Sequence, residues 1–275
     1  MKQSSTEKEH ITLCLFDVLG TSEMTKRNEL NKIYSCYSKL SEIVNQYDDN
    51  VFGTKLFGAR VPIPQPDGTS RVARGTVYIH HAFFSDTFIF WIKTHPLDVW
   101  IFNKVCNELF CKTLELQIPI RGCLSSGEAI MDIENRMFIG QPLVEAARGE
   151  TGQQWLGLTH GSSFDDKLHW DLEYYIPYKK HIKDGYSEIL SPFAIDWARH
   201  WRSTRSEDAI TLIKSMNKEE KFSNYYDTTI DFYLHSQRHS SNWYNETKAL
   251  CPSTYDEYLR DTYQWLDTLA LEVTP

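Results

Sequence analysis

The sequence predicts an α+β fold in which a mainly antiparallel sheet is covered by helices. Strand-like and helix-like segments follow the order strand, helix, two strands, helix, two strands, helix, strand, which is an elaborated βαββαβ arrangement. The 275 residues are 41% hydrophobic and 13% aromatic, which suffices for a packed core and does not fit disorder. We expect a polar tail over residues 1–10, one domain over 11–196 and a helical extension over 197–275 that packs on the core.

The first predicted elements are a strand and an amphipathic helix. Residues 11–18, ITLCLFDV, have the apolar character of a buried strand. The segment LGTSEMTKRNELNKIYSCYSKLSEIVNQY has apolar residues at three- and four-residue spacing from Leu30 to Tyr47, which predicts one helix with one buried face. Thr21 or Ser22 is the expected helix N-cap, because a hydroxyl oxygen can accept a hydrogen bond from a free backbone N–H group.

The remaining elements are predicted from patterning and turn residues. A hairpin is expected between residues 51 and 91, with its turn in PQPDGTS and one uninterrupted second arm, GTVYIHHAFFSDTFIFWI. Helices are expected at 96–115 and 141–151, separated by strands in QIPIRGCLSSGEAIMD and RMFIG. Further strands are expected in QQWLGLTH, LEYYIPYKK and ILSPFAIDW, before a polar helical region that begins near Ala198.

Composition argues against several functional classes. The net charge is −8, whereas general nucleic-acid binders usually carry the opposite balance, so no nucleic-acid partner is expected. The start, MKQSSTEKEH, lacks the apolar stretch of a signal peptide, and charges interrupt every apolar run, so no membrane contact is expected. The six cysteines include no CxxC pair, which favours buried, reduced thiols in a cytoplasmic protein.

Two aspartates, Asp17 and Asp86, interrupt apolar segments. An unpaired carboxylate in apolar surroundings is unfavourable, so each requires a partner or a metal ion. If the strand with Asp86 lies beside the first strand, both carboxylates face each other, and they cannot both stay ionised without a cation. Mg²⁺ suits one or two carboxylates that are completed by water and substrate phosphates. Taken singly, each aspartate fits a turn cap or an ion pair better.

Three neighbouring features favour a phosphate site. The turn VLGTS contains Val18 and follows Asp17 directly, and backbone N–H groups beside a helix start favour phosphate. The segment RGCLSSGEA places Arg121 and two glycines around a strand, where glycine permits close approach. In FIGQPLVEAARGETG, Gly140 precedes a helix that carries Arg148, and arginine suits phosphate recognition.

Four motifs in this order, LFDVLG, FSDTF, RGxxxxG and GQPLVEAAR, resemble those of class III nucleotidyl cyclase domains over residues 10–160. Among these, the chain looks most like the bacterial pyrimidine cyclases of Pycsar antiphage defence, which make cyclic CMP or cyclic UMP. The resemblance implies a ferredoxin-like βαββαβ core, a homodimer with active sites at its interface, and two Mg²⁺ or Mn²⁺ ions per site. It also implies a phosphorus–oxygen lyase whose cyclic nucleotide product reaches a downstream effector.

The resemblance assigns roles to individual residues of this sequence. Three positions match residues that hold the metal ions: Asp17, Val18 and Asp86. The backbone of three more matches the triphosphate contact: Leu19, Gly20 and Thr21. Arg148 matches the arginine that stabilises the transition state. Lys179 and Lys180 are candidates for holding the outer phosphates, and a solvated strand end explains them equally well.

The chain departs from the purine cyclases at three positions. Val144 replaces an asparagine one helical turn before the arginine, Ala82 replaces the lysine that reads adenine, and Met137 replaces its acidic partner. Because neither an adenine-reading nor a guanine-reading pair is present, CTP or UTP is the expected substrate. The alternative is a catalytically silent cyclase-like module that binds a nucleotide or a partner as a sensor, which the loss of the asparagine favours. A relative of diguanylate cyclases would require a GGDEF-type signature, which is lacking.

Overall fold

The structure, a computed structural model, describes residues 8–48, 61–64, 70–73, 78–94, 96–164, 174–217 and 219–250. Its strands are β1 Glu9–Val18, β2 Val61–Pro64, β3 Ser70–Ala73, β4 His80–Phe84, β5 Thr87–Lys93, β6 Ile120–Asp132, β7 Met137–Gly140, β8 Leu158–Gly161, β9 Tyr175–Pro177 and β10 Leu190–Ile195. Its α-helices are α1 Thr21–Lys26, α2 Leu30–Asp48, α3 Pro96–Glu115, α4 Gln141–Thr151, α5 Trp197–Thr204, α6 Ala209–Met216 and α7 Ser223–Leu250. A 3₁₀ turn, Glu220–Phe222, leads into α7.

The main sheet has the strand order β4-β5-β1-β6-β8-β10-β9, and β7 pairs with the far end of β6. The neighbouring pairs are antiparallel except β6 and β8, which run parallel. Strands β1, β4, β5 and β6, with α2 and α3 as the connecting helices, form a βαββαβ unit with the first strand inside the sheet. The ferredoxin-like core expected from the sequence is thereby confirmed. Strands β2 and β3 form a separate two-stranded ribbon.

The sheet separates two apolar clusters, and β1 contributes to both. Phe16 and Val18 point into the larger cluster with α2 and α3, and Leu13 and Leu15 point into the smaller cluster with α4. Successive side chains of a strand alternate between its faces. Asp17 therefore belongs to the α4 side of the sheet, at the end of β1.

Three local expectations were wrong. The second hairpin arm is not one strand, because β4 and β5 pair with each other through a tight turn at Ser85 and Asp86. Ser85 takes the left-handed φ of 54° that the turn requires, so Asp86 lies in a turn and not within a strand. The one helix expected after β1 is two helices, α1 and α2, with Asn28 at φ 59° between them. The N-cap of α1 is Gly20, with φ 77°, and not Thr21 or Ser22.

The expected hairpin turn within residues 65–69 lies outside the described residues, although β2 and β3 on either side of it do pair. The five cysteines in the described part of the chain are free and buried, and Cys251 lies outside it. The same part of the chain contains no helix with the length and apolarity needed to cross a membrane.

Helices α5, α6 and α7 pack on α3 and on the far half of the sheet. Trp197 at the start of α5 contacts Phe110 of α3, with ring centroids 5.0 Å apart. Phe232 of α7 meets Trp155, which precedes β8, edge to face at 4.7 Å. All four side chains are fully buried, so this helical region is anchored by large aromatic contacts.

Candidate active site

The site begins with a row of side chains across one end of the sheet. In the strand register Asp17 of β1 lies opposite Thr87 of β5 on one side and Arg121 of β6 on the other. Arg121 Nη2 is 3.6 Å from Asp17 Oδ2, and the two side chains are 13% and 20% exposed. The Asp17 carboxylate is therefore mostly shielded from water and has an arginine beside it.

The β4–β5 turn brings Asp86 to the same end of the sheet. The Asp86 carbonyl oxygen accepts hydrogen bonds from the Val18 N–H group at 3.2 Å and from the Tyr37 hydroxyl at 2.5 Å. The Asp86 carboxylate is close enough to Asp17 to raise its pKa. The two aspartates singled out in the sequence thus lie together, with Asp86 positioned by a turn.

Glu150, near the end of α4, is a third carboxylate at this site, and sequence reasoning missed it. Its Oε1 atom pairs with Nε of Arg121, so one guanidinium serves both Glu150 and Asp17. Burial, followed by Glu150, raises the pKa of Asp17 to about 8; Asp86 adds to this rise and Arg121 opposes it. Nothing in the motif GQPLVEAARGE indicates that this glutamate reaches β6, because its reach depends on how α4 packs.

This donor set fits a divalent cation. Within the described ranges, no three His, Cys, Asp or Glu side chains are grouped as ligands of one metal ion. Mg²⁺ needs no such cage, because it is commonly held by one or two carboxylates, water and substrate phosphates. Asp17 and Asp86 could supply the carboxylates and the Val18 carbonyl an additional oxygen. A cation here would also relieve the repulsion that raises the pKa of Asp17.

The turn after β1 is fixed by backbone contacts. The Leu19 N–H group donates to the Pro119 carbonyl oxygen at 2.8 Å, and the Thr21 hydroxyl donates to the Val18 carbonyl oxygen at 2.8 Å. The N–H groups of Val18 and Leu19 are thus both engaged by the protein. The N–H groups of Gly20 and Thr21 remain the ones in this turn that could donate to a phosphate, and the role of Leu19 in triphosphate binding stays a prediction.

Arg148 lies on the exposed face of α4, together with Val144. Glu150, two residues later, lies on the buried face, since two residues turn a helix by about 200°. Arg148 therefore lies on the opposite face of α4 from Glu150, and no contact of Arg148 with Asp17 or Asp86 within one chain is found among the described residues.

The expected phosphate lysines are both exposed, and Lys180 pairs with Asp231 of α7 at 2.9 Å. No contact of Lys179 or Lys180 with the aspartate cluster is found among the described residues. Lys183 is the nearby lysine that the sequence did not single out. Its Nζ atom donates to the Thr151 carbonyl oxygen at 2.7 Å and lies 5.5 Å from the Tyr225 ring, which also contacts Arg121.

The three positions that differ from the purine cyclases have apolar side chains with different exposure. Ala82 packs against the smaller core cluster, whereas Met137 and Val144 are 50% and 48% exposed. None of the three side chains can donate a hydrogen bond to a base, and the Met137 sulfur is at most a weak acceptor.

Comparisons with known proteins give remote likenesses only. No family model matches the chain, and no curated protein matches it. Among solved structures, a bacterial light-regulated adenylyl cyclase is 14% identical with a TM-score of 0.42; the match covers 77% of this chain and 58% of that one.

Two further solved structures are similar to the chain. The catalytic core of a rhodopsin-guanylyl cyclase with converted specificity, in complex with ATPαS, is 10% identical with a TM-score of 0.45, over 69% of this chain and 96% of that one. A class III adenylyl cyclase-like ATP-binding protein from Pseudomonas aeruginosa is 10% identical with a TM-score of 0.40, over 87% and 48%. At these identities and scores the likeness to class III cyclase domains is one of fold alone and carries no information on activity.

Proposed function

We propose that the chain is a nucleotidyl cyclase that converts CTP or UTP into a 3′,5′-cyclic mononucleotide and pyrophosphate. The observation that carries this proposal is the meeting of Asp17 and Asp86 at one end of the sheet, beside the turn that follows β1. Two carboxylates, one at the end of β1 and one in the β4–β5 turn, next to a glycine-containing turn suit a metal–triphosphate complex. The resemblance of the four sequence motifs to class III cyclases points to the same chemistry.

The reaction is an intramolecular substitution at phosphorus. The substrate 3′-hydroxyl loses its proton to water, its oxygen forms a bond to the α-phosphorus, the bond from the α-phosphorus to the bridging oxygen breaks, and pyrophosphate leaves. Two bound Mg²⁺ or Mn²⁺ ions would lower the pKa of the 3′-hydroxyl and neutralise the phosphates. Asp17, Asp86 and the Val18 carbonyl would hold these ions, and the turn through Gly20 and Thr21 would orient the triphosphate.

Arg148 would act on the site of a second copy of the chain. Its exposed position on α4 is on the opposite face of the helix from Glu150. Exposed apolar side chains lie close to it in sequence, on and around β7 and on α4: Ile133, Met137, Ile139 and Val144. Such a concentration of exposed apolar residues favours a protein interface. A C2 homodimer would then contain two equivalent sites, each with aspartates from one subunit and Arg148 from the other.

The pyrimidine preference follows from the base-reading positions. Ala82 has no hydrogen-bonding group and Met137 has only a weakly accepting sulfur, so the pair that selects purines in the resembling enzymes is missing. A cytoplasmic role in antiphage defence, with the cyclic product acting on a downstream effector, is the context that this resemblance suggests.

The decisive experiment incubates the purified protein with each of the four NTPs and Mn²⁺ or Mg²⁺ and identifies the products by mass spectrometry. Cyclic CMP or cyclic UMP with stoichiometric pyrophosphate is the expected result. Cyclic AMP or cyclic GMP as the main product would overturn the pyrimidine preference and keep the cyclase. No cyclic product from any NTP would overturn the cyclase.

A silent nucleotide-binding module is the second candidate. The Arg121 guanidinium already pairs with Asp17, and Val144 stands where the resembling enzymes carry an asparagine. Nucleotide binding without turnover, measured by calorimetry with CTP and with ATP, would favour this candidate.

A further inference from the structure

The helical C-terminal region meets the candidate active site through residues 219–225, which comprise Glu219, the 3₁₀ turn and the first turn of α7. This 219–225 segment contacts the turn after β1, the short helix α1 and Arg121. Glu219 and Phe222 of this segment also line a cavity together with Leu19, Gly20 and Met24. A region remote in sequence therefore borders the residues proposed to hold the metal ions and the triphosphate.

Phe222 packs directly on Gly20. A Cβ atom placed on Gly20 would lie 3.3 Å from Cε2 of Phe222, so the ring edge occupies the space beside the glycine backbone. Gly20 has φ +77°, a conformation that glycine adopts without strain and other residues rarely adopt. The ring thus covers the one position of this turn that has a left-handed backbone.

Two ion pairs join the same segment to α1. Arg27 Nη1 is 2.6 Å from Glu219 Oε1, and Lys221 Nζ is 3.1 Å from Glu23 Oε1. Exposed pairs of this kind contribute little stability. Their position at both ends of a six-residue helix nevertheless fixes where α1 lies relative to the segment.

Tyr225 supports the arginine of the site. The Arg121 guanidinium carbon lies 5.8 Å from the centre of the Tyr225 ring, and Lys183 Nζ lies 5.5 Å from the same centre. A cation over an aromatic ring is attracted by the ring's quadrupole. Asp17, Glu150 and Tyr225 therefore fix the direction of one guanidinium together.

Building on the cyclase function proposed above, we propose that Phe222 and Tyr225 are positioning residues for the active site. Phe222 holds the turn through Gly20, and Tyr225 holds Arg121 against Asp17. Neither residue touches the reacting atoms. Because a misplacement of about 1 Å can lower a rate about 100-fold, loss of either ring is expected to lower turnover without detaching the C-terminal helices.

The C-terminal helices stay attached without these two contacts. Trp197, Trp201 and Phe232 are fully buried, and they anchor α5 and α7 to the core at positions away from the site. Tyr233 offers a matched comparison, because its ring lies 5.5 Å from the guanidinium carbon of Arg202, far along α7 from the aspartates.

The test uses the full chain and the variants Phe222→Leu, Tyr225→Leu, Tyr225→Phe and Tyr233→Leu. Leucine keeps apolar volume and removes the ring, and phenylalanine at 225 keeps the ring. Turnover of the preferred NTP gives kcat and KM, hydrogen–deuterium exchange of residues 15–24 reports on the turn, and thermal unfolding gives Tm. The exchange measurement requires neither nucleotide nor metal.

We expect Phe222→Leu and Tyr225→Leu to lower kcat by about tenfold or more, and Phe222→Leu to speed exchange in residues 15–24. Tyr225→Phe is expected to retain the wild-type kcat. Tyr233→Leu is expected to lower Tm as much as Tyr225→Leu does, but to leave kcat unchanged. Wild-type kcat in both Phe222→Leu and Tyr225→Leu would overturn the positioning role. A loss of kcat in Tyr233→Leu as large as in these two variants would overturn it as well. Absence of turnover in the wild-type protein would overturn the proposed cyclase function instead. In that case, exchange of residues 15–24 in Phe222→Leu that is as slow as in the wild type would also reject the role of Phe222.

Discussion

Arg121 lies opposite Asp17 in the register of β1 and β6, with its Nη2 atom 3.6 Å from Oδ2 of Asp17. The same guanidinium also pairs with Glu150, and Asp86 is close by. One arginine therefore pairs with two of the three carboxyl groups gathered around Asp17. This excess of negative charge is the electrostatic basis on which the site would attract a divalent cation.

Replacement of Asp17 by asparagine should abolish turnover and stabilise the metal-free protein at pH 8. Burial and the neighbouring carboxylates raise the pKa of Asp17 to about 8 from the ordinary 3.8. The contribution of the Asp17 carboxyl to the free energy of unfolding is fully present below pH 3.8. It falls as the pH rises towards 8, because in this range the folded state retains the proton and the unfolded state does not. In chelator at pH 8, Asp17→Asn should therefore have a higher Tm than the wild type. Mn²⁺ should raise the Tm of the wild type alone.

The control for this prediction is Asp231→Asn, which removes an exposed carboxylate that pairs with Lys180. It should retain both turnover and the response of Tm to Mn²⁺. Cyclic nucleotide formation by Asp17→Asn at the wild-type rate would contradict a metal-binding role for this residue.

Arg121→Met should destabilise the fold, because it leaves the Glu150 and Asp17 carboxylates without their counter-charge. Both partners of the Arg121–Glu150 pair are mostly buried, and breaking such a pair costs about 3 kcal/mol of unfolding free energy. The double variant Arg121→Met/Glu150→Gln should recover at least half of that loss in urea denaturation. Lys180→Met, which breaks the exposed pair with Asp231, should cost less than about 1 kcal/mol.

Mixing two inactive variants, Asp17→Ala and Arg148→Ala, should restore turnover. Random exchange of subunits makes half of the dimers mixed, and each mixed dimer has one intact site of two, so about a quarter of wild-type activity is expected. Product formation after equilibration measures this directly. Mixing Asp17→Ala with Asp86→Ala should restore nothing, because both changes damage the same half of a site. Equal recovery in the two mixtures would reject the shared site.

The protein should lose stability steadily below pH 6.5 through two buried histidines. Burial lowers the pKa of His160 and of His181 to about 3. The unfolded chain takes up protons near pH 6.5 and the folded chain does not, so this stability is complete above pH 6.5 and lost as pH falls towards 3. Each histidine should contribute a slope of about 1.4 kcal/mol per pH unit in that window.

Urea denaturation at pH 7.5, 6.0 and 5.0 measures this slope. His181→Gln should reduce the slope of unfolding free energy against pH by about 1.4 kcal/mol per pH unit, the contribution of one histidine. His239→Gln, at an exposed position, should leave this slope unchanged. Parallel pH dependence in His181→Gln and the wild type would exclude His181 as a source of the slope.

The core fold could be predicted from the sequence because its elements have clear periodicities. The apolar run in residues 11–18 and the three-and-four spacing from Leu30 onward describe β1 and α2 closely. The β4–β5 turn was missed because Ser85 and Asp86 carry no Gly, Pro or Asn signal between two apolar runs. Only the tertiary pairing of the two strands fixes that turn.

The candidate site could be predicted only in part. Asp17 and Asp86 were recognised because a carboxylate among apolar residues is conspicuous. Three further residues lie among other polar residues in the sequence and do not stand out: Glu150, Lys183 and Tyr225. Glu150 and Tyr225 contact Arg121, and Lys183 contacts Tyr225, only because elements far apart in sequence pack together. Local pattern carries no information on such contacts.

The contact between Gly20 and Phe222 also sets an order of events during synthesis. Translation at about 5–20 residues per second leaves roughly 10–40 seconds between the emergence of the glycine and that of the phenylalanine about 200 residues later. During this interval the nascent chain contains Asp17 from the start and Asp86 after a further part of the synthesis. It does not yet contain the Phe222 ring that covers the turn. With Phe222 as a positioning residue, the turn through Gly20 would lack its support for this whole interval, and a chain interrupted before Phe222 would have its turnover lowered by about tenfold or more.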